Sequence, residues 1–241
     1  VILTGTIVNA AAILIGAFLG RLLQGIPDGI RQTVMQGLAL AVMVLGVTMS
    51  LKTENFLLVI ASLTIGSIIG ELCRIEDRLN QLGKWLESKV GGKNQKGSIA
   101  TGFVTATLVY CIGAMAVLGA MDSGLRNNHD ILYTKSMLDG FSAIIFTSAL
   151  GIGVAFSAVP VFLYQASIAI LATQITSIIS QTMLDAMLAE ITAVGGIMII
   201  AIGINVMELK KVSVANMLPA LIVAALGVPF IQWITEFFAT K

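Results

Sequence analysis

An acid and a base stand four residues apart at the mouth of an apolar run, in Lys135-Ser-Met-Leu-Asp139. Ionisable groups are expensive in hydrocarbon, so in an apolar chain they face a bundle interior or a wet cavity. Asp139 there could bind a coupling cation or the ammonium of a cargo. It fits equally a helix-start carboxylate, satisfied by backbone donors and the positive helix end and supported by Lys135 one turn away. Asn9, Tyr110, Gln165, Gln174 and Asn205 are further polar groups within apolar runs, and Glu208, like Asp139, stands at a run edge. Such neutral groups suit the recognition of a small polar molecule or ion. For Asn9 and Asn205 the alternative is an interhelical hydrogen bond that joins helices in lipid. Gln165, five residues past Pro160, would cap a loosened first turn or line a site.

Enzyme chemistry finds no footing, and no catalytic residue is assigned. There is no glycine-rich phosphate loop ending in Lys-Ser or Lys-Thr, no His-Glu-x-x-His and no Gly-x-Ser-x-Gly. The single histidine, His129, lies among Asn127, Asn128 and Asp130 and reads as a solvated loop residue. Cys73 and Cys111 are isolated in or beside apolar runs, which suits free thiols and offers no metal-ligand spacing. No metal and no cofactor are expected, and a net charge of +1 argues against nucleic acid.

The elements that must position these residues are membrane helices. The chain is 57% hydrophobic and 11% charged, where a soluble domain carries about 25% charged residues. No charged residue occurs from Val1 to Gly20, Gln32 to Leu51, Asn55 to Gly70, Gly97 to Met121, Gly140 to Leu184, Ile191 to Met207 or Val212 to Thr235. A spanning helix needs about 20 residues, and the long run from Gly140 holds two, so the count is about eight spans. The third, about Phe56–Leu72, reaches full length only by extending past Glu71 to Cys73. The turn inside the long run is expected at Ser157-Ala-Val-Pro160. The fold class is therefore all-α and polytopic, with the lipid bilayer as its first partner. The first apolar run lacks a basic lead and a cleavage site, so it reads as a retained span.

Arg74 to Lys96 is the one soluble-looking block, and Ile75, Leu79, Leu82 and Leu86 recur in it at helical spacing with Trp85 alongside. One apolar stripe on a charged helix suits the membrane interface, or a solvated helix packed on the protein's own loops; Gly91-Gly92 would end it. Cytoplasmic loops are rich in Lys and Arg, which places this block inside with Arg21, Arg31, Lys210 and Lys211. Only Lys52, Arg126, Lys135 and Lys241 then fall outside, and both termini are extracytoplasmic.

Two internal offsets divide the chain. A shift of 38 puts Gly102 on Gly140, Phe103 on Phe141 and Gly113 on Gly151. A shift of 157 puts Ala12-Ile-Leu14 on Ala169-Ile-Leu171, Asp28 on Asp185, Gly46 on Gly203 and Gly70 on Gly227. Both steps are odd in spans, so the copies are inverted: spans one to three with six to eight, and four with five. The segments are 1–73, the interfacial block 74–97, a central pair 98–157, and 158–241. Gly16-x-x-x-Gly20 and Gly66-x-x-x-Gly70 permit close helix contact, and a homodimer fits so small a chain. Gly113, Gly151, Gly153, Gly195 and Gly196 are candidates for helix breaks that would turn backbone groups toward an ion.

Gly102-Phe103 through Cys111-x-Gly113-Ala-Met115, Lys135-Ser-x-Leu-Asp139-Gly140, Gly151-Ile-Gly153-Val and Tyr164-Gln165 resemble the bacterial membrane family catalogued as domain of unknown function 554. Gly5-Thr-x-x-Asn9, Gly203-Ile-Asn205 and Leu218-Pro219-Ala220 fit it too. The resemblance implies a multi-pass protein of the bacterial cytoplasmic membrane, often described as a transporter, and brings no binding residues with it. The expected function is a small secondary transporter working by alternating access. The alternatives are a pseudo-symmetric channel or pore, and a non-transporting scaffold or sensor.

Overall fold

The structure, a computed structural model, describes residues 1–22, 28–90, 99–207 and 209–239. Its logic shows first in α1 (Thr4–Leu22), which buries Gly5, Thr6, Asn9, Ile13, Gly16, Ala17 and Gly20 while exposing Ile7, Leu14, Ile15, Phe18 and Leu19. α3 (Phe56–Leu72) turns Leu58, Val59, Ser62, Gly66 and Gly70 inward and Leu57, Ile65 and Ile68 outward. In water most large apolar side chains would be inside. Here most of them face out, and the buried faces of these two helices are rich in small and polar residues, as lipid allows.

The remaining helices are α2 (Asp28–Ser50), α4 (Ile75–Val90), α5 (Ile99–Cys111), α6 (Ala114–Arg126), α7 (Asp130–Leu150), α8 (Ala158–Ile178), α9 (Gln181–Val206) and α10 (Pro219–Ala239). Short 3-10 segments, Ile152–Ser157 and Val214–Met217, precede α8 and α10. Among the described residues four stretches are long and apolar enough to cross a membrane: Thr4–Leu22, Ile152–Ile178, Gln181–Val206 and Val214–Thr235. The number rises to six if two bent pairs each count as one span, Phe56–Leu72 with Ile75–Leu82 and Ile99–Cys111 with Met115–Arg126. Outside that count stand α2, whose apolar stretch is the shorter Met35–Ser50, and α7, which carries Asp130, Lys135 and Asp139. These are the helices of a multi-pass membrane protein.

The chain forms two compact units, residues 1–40 with 77–175 and residues 41–76 with 176–241. Each joins two stretches separated along the chain. In the first unit α1 packs chiefly on α7, and the two run in the same direction: Gly5 lies against Leu132, Gly16 against Gly140 and Gly20 against Ile144. In the second, α3 and α10 run oppositely, with Gly227 at Leu58, Gly66 at Ala220 and Gly70 at Asn216. α2 and α9 also run oppositely, Gly46 meeting Ile200 and Gly196 meeting Ser50.

The helix breaks fall at Gly113 and Gly151, with φ of 134° and 94°, a region closed to side chains bearing a Cβ. Ile99–Cys111 and Met115–Arg126 are bent by 61° across the first. Gly153 lies inside the 3-10 segment beyond the second break, set against the backbone of Ile99. Gly195 and Gly196 break nothing: α9 runs through both, and Gly196 serves contact with α2 instead. The turn expected at Ser157–Pro160 comes earlier, at Gly151, and Pro160 sits in the first turn of α8, where its missing N–H is no loss. Asp139 is not at a helix start, because α7 begins at Asp130, after the N-cap His129 and three residues on from the left-handed Asn127. The residues 23–27 of the polar elbow, the stretch 91–98 with Gly91-Gly92, Lys93 and Lys96, Glu208 and residues 240–241 lie outside the described residues; Asp28–Arg31 open α2.

Candidate functional site

The candidate site is built where α1 crosses α7. A Cβ at Gly16 would run into the carbonyl oxygen of Gly140, and one at Gly20 into that of Ile144. Only bare backbone allows so close an approach. The closeness brings Asn9, fully buried on α1, to the acid and base of α7. Lys135 and Asp139 are one helical turn apart, so both point to the same face. The Lys135 ammonium reaches the two Asp139 carboxylate oxygens at 2.9 Å each. Asn9 Nδ2 donates to Asp139 Oδ2 at 3.0 Å. Lys135 and Asp139 are 7% and 6% exposed, so this is an ion pair removed from solvent. Removing one member of such a pair costs about 3–5 kcal/mol, because the other is left charged and alone.

Asn9 Oδ1 at the pair and the Tyr110 hydroxyl, within electrostatic reach of it, have no hydrogen-bond partner among the described residues; Thr6 Oγ1, Thr107 Oγ1 and both amide atoms of Gln165, in the same compact unit, also lack one there. A buried polar atom left unpaired costs about 1–3 kcal/mol, so those at the pair mark a place for a further partner. The Tyr110 ring lies 6.1 Å from that of Phe146, two turns beyond Asp139 on α7, and Tyr110 is within electrostatic reach of the Asp139 carboxylate. Cys111 is within such reach of Lys135 and Asp139. Tyr164, beside Gln165 on α8, is in reach of Cys111. A groove of about 260 Å³ on the outer side of the same helix pair, lined by Leu19, Met137, Phe141 and Ile144 among others, is hydrocarbon and leaves the ion pair out.

Of the residues singled out in the sequence, the structure brings Asn9, Lys135 and Asp139 into direct contact and sets Tyr110 nearby. Asn205 does something else. Its amide donates to the Val212 carbonyl at 2.8 Å and accepts from the Val212 amide at 2.7 Å, fastening the connection after α9. Among the described residues no group of three His, Cys, Asp or Glu could hold a metal ion, and both cysteines are free thiols.

Three polar constructions were not visible in the sequence. Glu190, 4% exposed within α9, accepts from the Thr53 hydroxyl at 2.6 Å and from the amides of Glu54 at 3.0 Å and Asn55 at 3.2 Å. Asn216 donates to Glu71 at 2.6 Å and accepts from the Glu76 amide at 2.7 Å. His129, half-buried rather than solvated, lies 2.7 Å from the Ser123 hydroxyl across the α6–α7 hairpin. The capping pattern Thr53-Glu-Asn55 ahead of α3 was the one available hint of the first; Asn216 and Ser123 carry no local signal.

Residues 4–228 match the family described as a protein of unknown function, DUF554. The uncharacterized membrane protein YdfK of Bacillus subtilis is 34% identical over 224 residues, covering 91% of this chain and 93% of the relative. The uncharacterized protein YqgA of Escherichia coli is 31% identical over 224 residues, covering 91% and 94%. No solved structure matches the chain.

Proposed function

Since the chain belongs to the DUF554 family, we propose from the geometry that it is a small secondary carrier of a polar small molecule or ion. The observation that carries the proposal is the buried Lys135–Asp139 pair on a helix that ends at Gly151, bonded by Asn9 of α1, whose own amide oxygen has no partner among the described residues. Stable folding alone does not call for an ion pair in lipid, since apolar residues of similar volume hold such a place as well or better. Broken helices and lone polar groups at membrane depth are the usual furniture of a transport site.

The inverted-repeat reading has structural support. Of the two glycine pairs matched by the 38-residue shift, one, Gly113 with Gly151, comprises the two glycines of positive φ among the described residues. The 157-residue shift carries the contact of Leu58 with Gly227 onto Ala215 and Gly70, and Gly70 in fact lies against Asn216, one residue along. An alternating eight-span path also requires α1 and α7 to run alike and the pairs α3–α10 and α2–α9 to run oppositely, as they do. Such halves provide two nearly equivalent packings around one site, the basis of alternating access. In this reading the protein sits in the bacterial cytoplasmic membrane with α4 cytoplasmic and works as a homodimer, joined by faces other than Gly16–Gly20 and Gly66–Gly70, which pack on α7 and α10 within the chain.

The test is solute flux into proteoliposomes holding the purified chain. Saturable, counterflow-competent uptake of a polar solute is the expected result. A channel-like current with no counterflow would replace the carrier by a pore, and loss of the cellular phenotype on deleting α4 with flux intact would favour the scaffold.

A further inference from the structure

We infer that the cargo taken at the α1–α7 crossing is a small zwitterion, a single molecule bearing both an ammonium and a carboxylate; this rests on the carrier reading above. The first ground is charge. Lys135 and Asp139 cancel one another inside a dry site, so a bare cation or anion would bring in a charge that nothing there compensates. Uncompensated charge in such surroundings costs several kcal/mol. The resident ammonium also holds both oxygens of Asp139, so the carboxylate is not an open cation seat. A zwitterion adds no net charge, and it can exchange one internal ion pair for two with the cargo.

The second ground is the count of donors and acceptors. An ammonium has three N–H groups, and Lys135 directs its reach at the two oxygens of Asp139. Asp139 Oδ1 accepts from Lys135, while Oδ2 accepts from Asn9 and lies 2.9 Å from the same ammonium. Asn9 Oδ1, fully buried, has no partner. The spare capacity therefore sorts by sign. One acceptor, Asn9 Oδ1, awaits a group with N–H to give, and the Lys135 ammonium held at the same carboxylate can turn a donor to an incoming anion. The unpartnered Tyr110 hydroxyl adds a neutral donor on the α5 side. An amino acid presents both an ammonium and a carboxylate on one carbon.

Solutes on one skeleton separate the charge classes: alanine as zwitterion, lactate as anion, alaninol as cation and propane-1,2-diol as the uncharged form. Labelled uptake by the full chain in proteoliposomes is compared with protein-free vesicles, and the set is repeated on the leucine skeleton. The zwitterion should lead, with each of its relatives slower by about tenfold or more, the worth of a lost charge-assisted contact. Uptake led by the anion, cation or diol overturns the zwitterion and leaves the carrier standing. No protein-dependent uptake in any class, at either size, overturns both. Lys135→Gln with Asp139→Asn removes the two charges together. The double variant should remain monodisperse in detergent and fall to the protein-free rate for the zwitterion; retained uptake would show that the pair is not its seat. Should that variant fail to fold, the four-solute comparison on the unaltered chain still decides.

Discussion

Each compact unit buries one carboxylate on a long apolar helix, and the two are held in opposite ways. Asp139, 6% exposed, is bonded wholly by side chains, the Lys135 ammonium and the Asn9 amide. Glu190, 4% exposed, is bonded by the backbone amides of Glu54 and Asn55 and the hydroxyl of Thr53. It closes the entry to α3, whose first turn is also capped by Asn55. Backbone donors at a helix start have nowhere else to go, so Glu190 completes the fold. Side-chain donors can rotate away, and unpartnered atoms stand close by to receive a guest. Burial of an acid in lipid therefore does not by itself mark a site; exchangeable partners do.

The largest effect expected from this difference is at Asp139. Asp139→Ala strands the Lys135 ammonium and should lower unfolding stability in detergent by about 3–5 kcal/mol. Lys135→Met with Asp139→Leu removes both charges and should recover most of that loss, while transport stays absent. If the double variant is as unstable as the single one, the pair is structural and Asp139 joins Glu190. Next comes Glu190→Ala, which leaves two amide donors facing a void and should cost about 1–3 kcal/mol. Solute uptake per folded molecule should be unchanged, and a lost uptake would erase the distinction between the two acids.

The uneven legibility of the sequence follows the same line. α1 and α3 could be bounded closely because uninterrupted hydrocarbon reports directly on contact with lipid. Gly113 and Gly151 could be marked by their matching positions, and Lys135, Asp139 and Asn9 by their polarity amid apolar runs. The depth of Asp139 could not. The apolar run opens at Gly140, yet α7 begins at Asp130, since a helix start is set by the turn before it and a paired charge does not stop a helix. Gly195 and Gly196 resembled a break because glycine density is the same whether a helix bends or another backbone passes close. Asn205 looked like a ligand-binding amide because its partner, the Val212 backbone, has no sequence signature. Glu190 stood at the edge of a charge-free run, which concealed its place well inside α9.

A smaller effect tests how the first unit brings its partners together. Gly16→Ala puts a methyl group against the Gly140 carbonyl, with overpacking of about 1–3 kcal/mol offset by about 1 kcal/mol of helix propensity. Gly29→Ala, with open space at its Cβ, gains the propensity alone, up to about 1 kcal/mol. Thermal unfolding should order the proteins as Gly29→Ala, unaltered, Gly16→Ala. If Gly16→Ala is as stable as Gly29→Ala, α1 and α7 are not held as close as the Asn9–Asp139 bond requires.

The smallest stability effect, and the sharpest contrast, lies between two asparagines. Asn55→Ala removes a cap of α3, whose oxygen accepts from the Leu58 amide at 3.2 Å, and should cost about 1 kcal/mol with KM for transport unmoved. Asn9→Ala loses the bond to Asp139 but also deletes a carbonyl oxygen that the fold leaves unpaired. These contributions oppose one another, so the net cost should be about 0.6 kcal/mol or less, the typical worth of a polar contact between membrane helices. Transport separates the pair more widely. If Asn9 Oδ1 receives the cargo, KM for the best solute rises about tenfold in Asn9→Ala, the equivalent of about 1.4 kcal/mol, though the fold scarcely registers the change. A KM that stays fixed while stability falls would place Asn9 beside Asn55, as an amide whose work ends with joining helices.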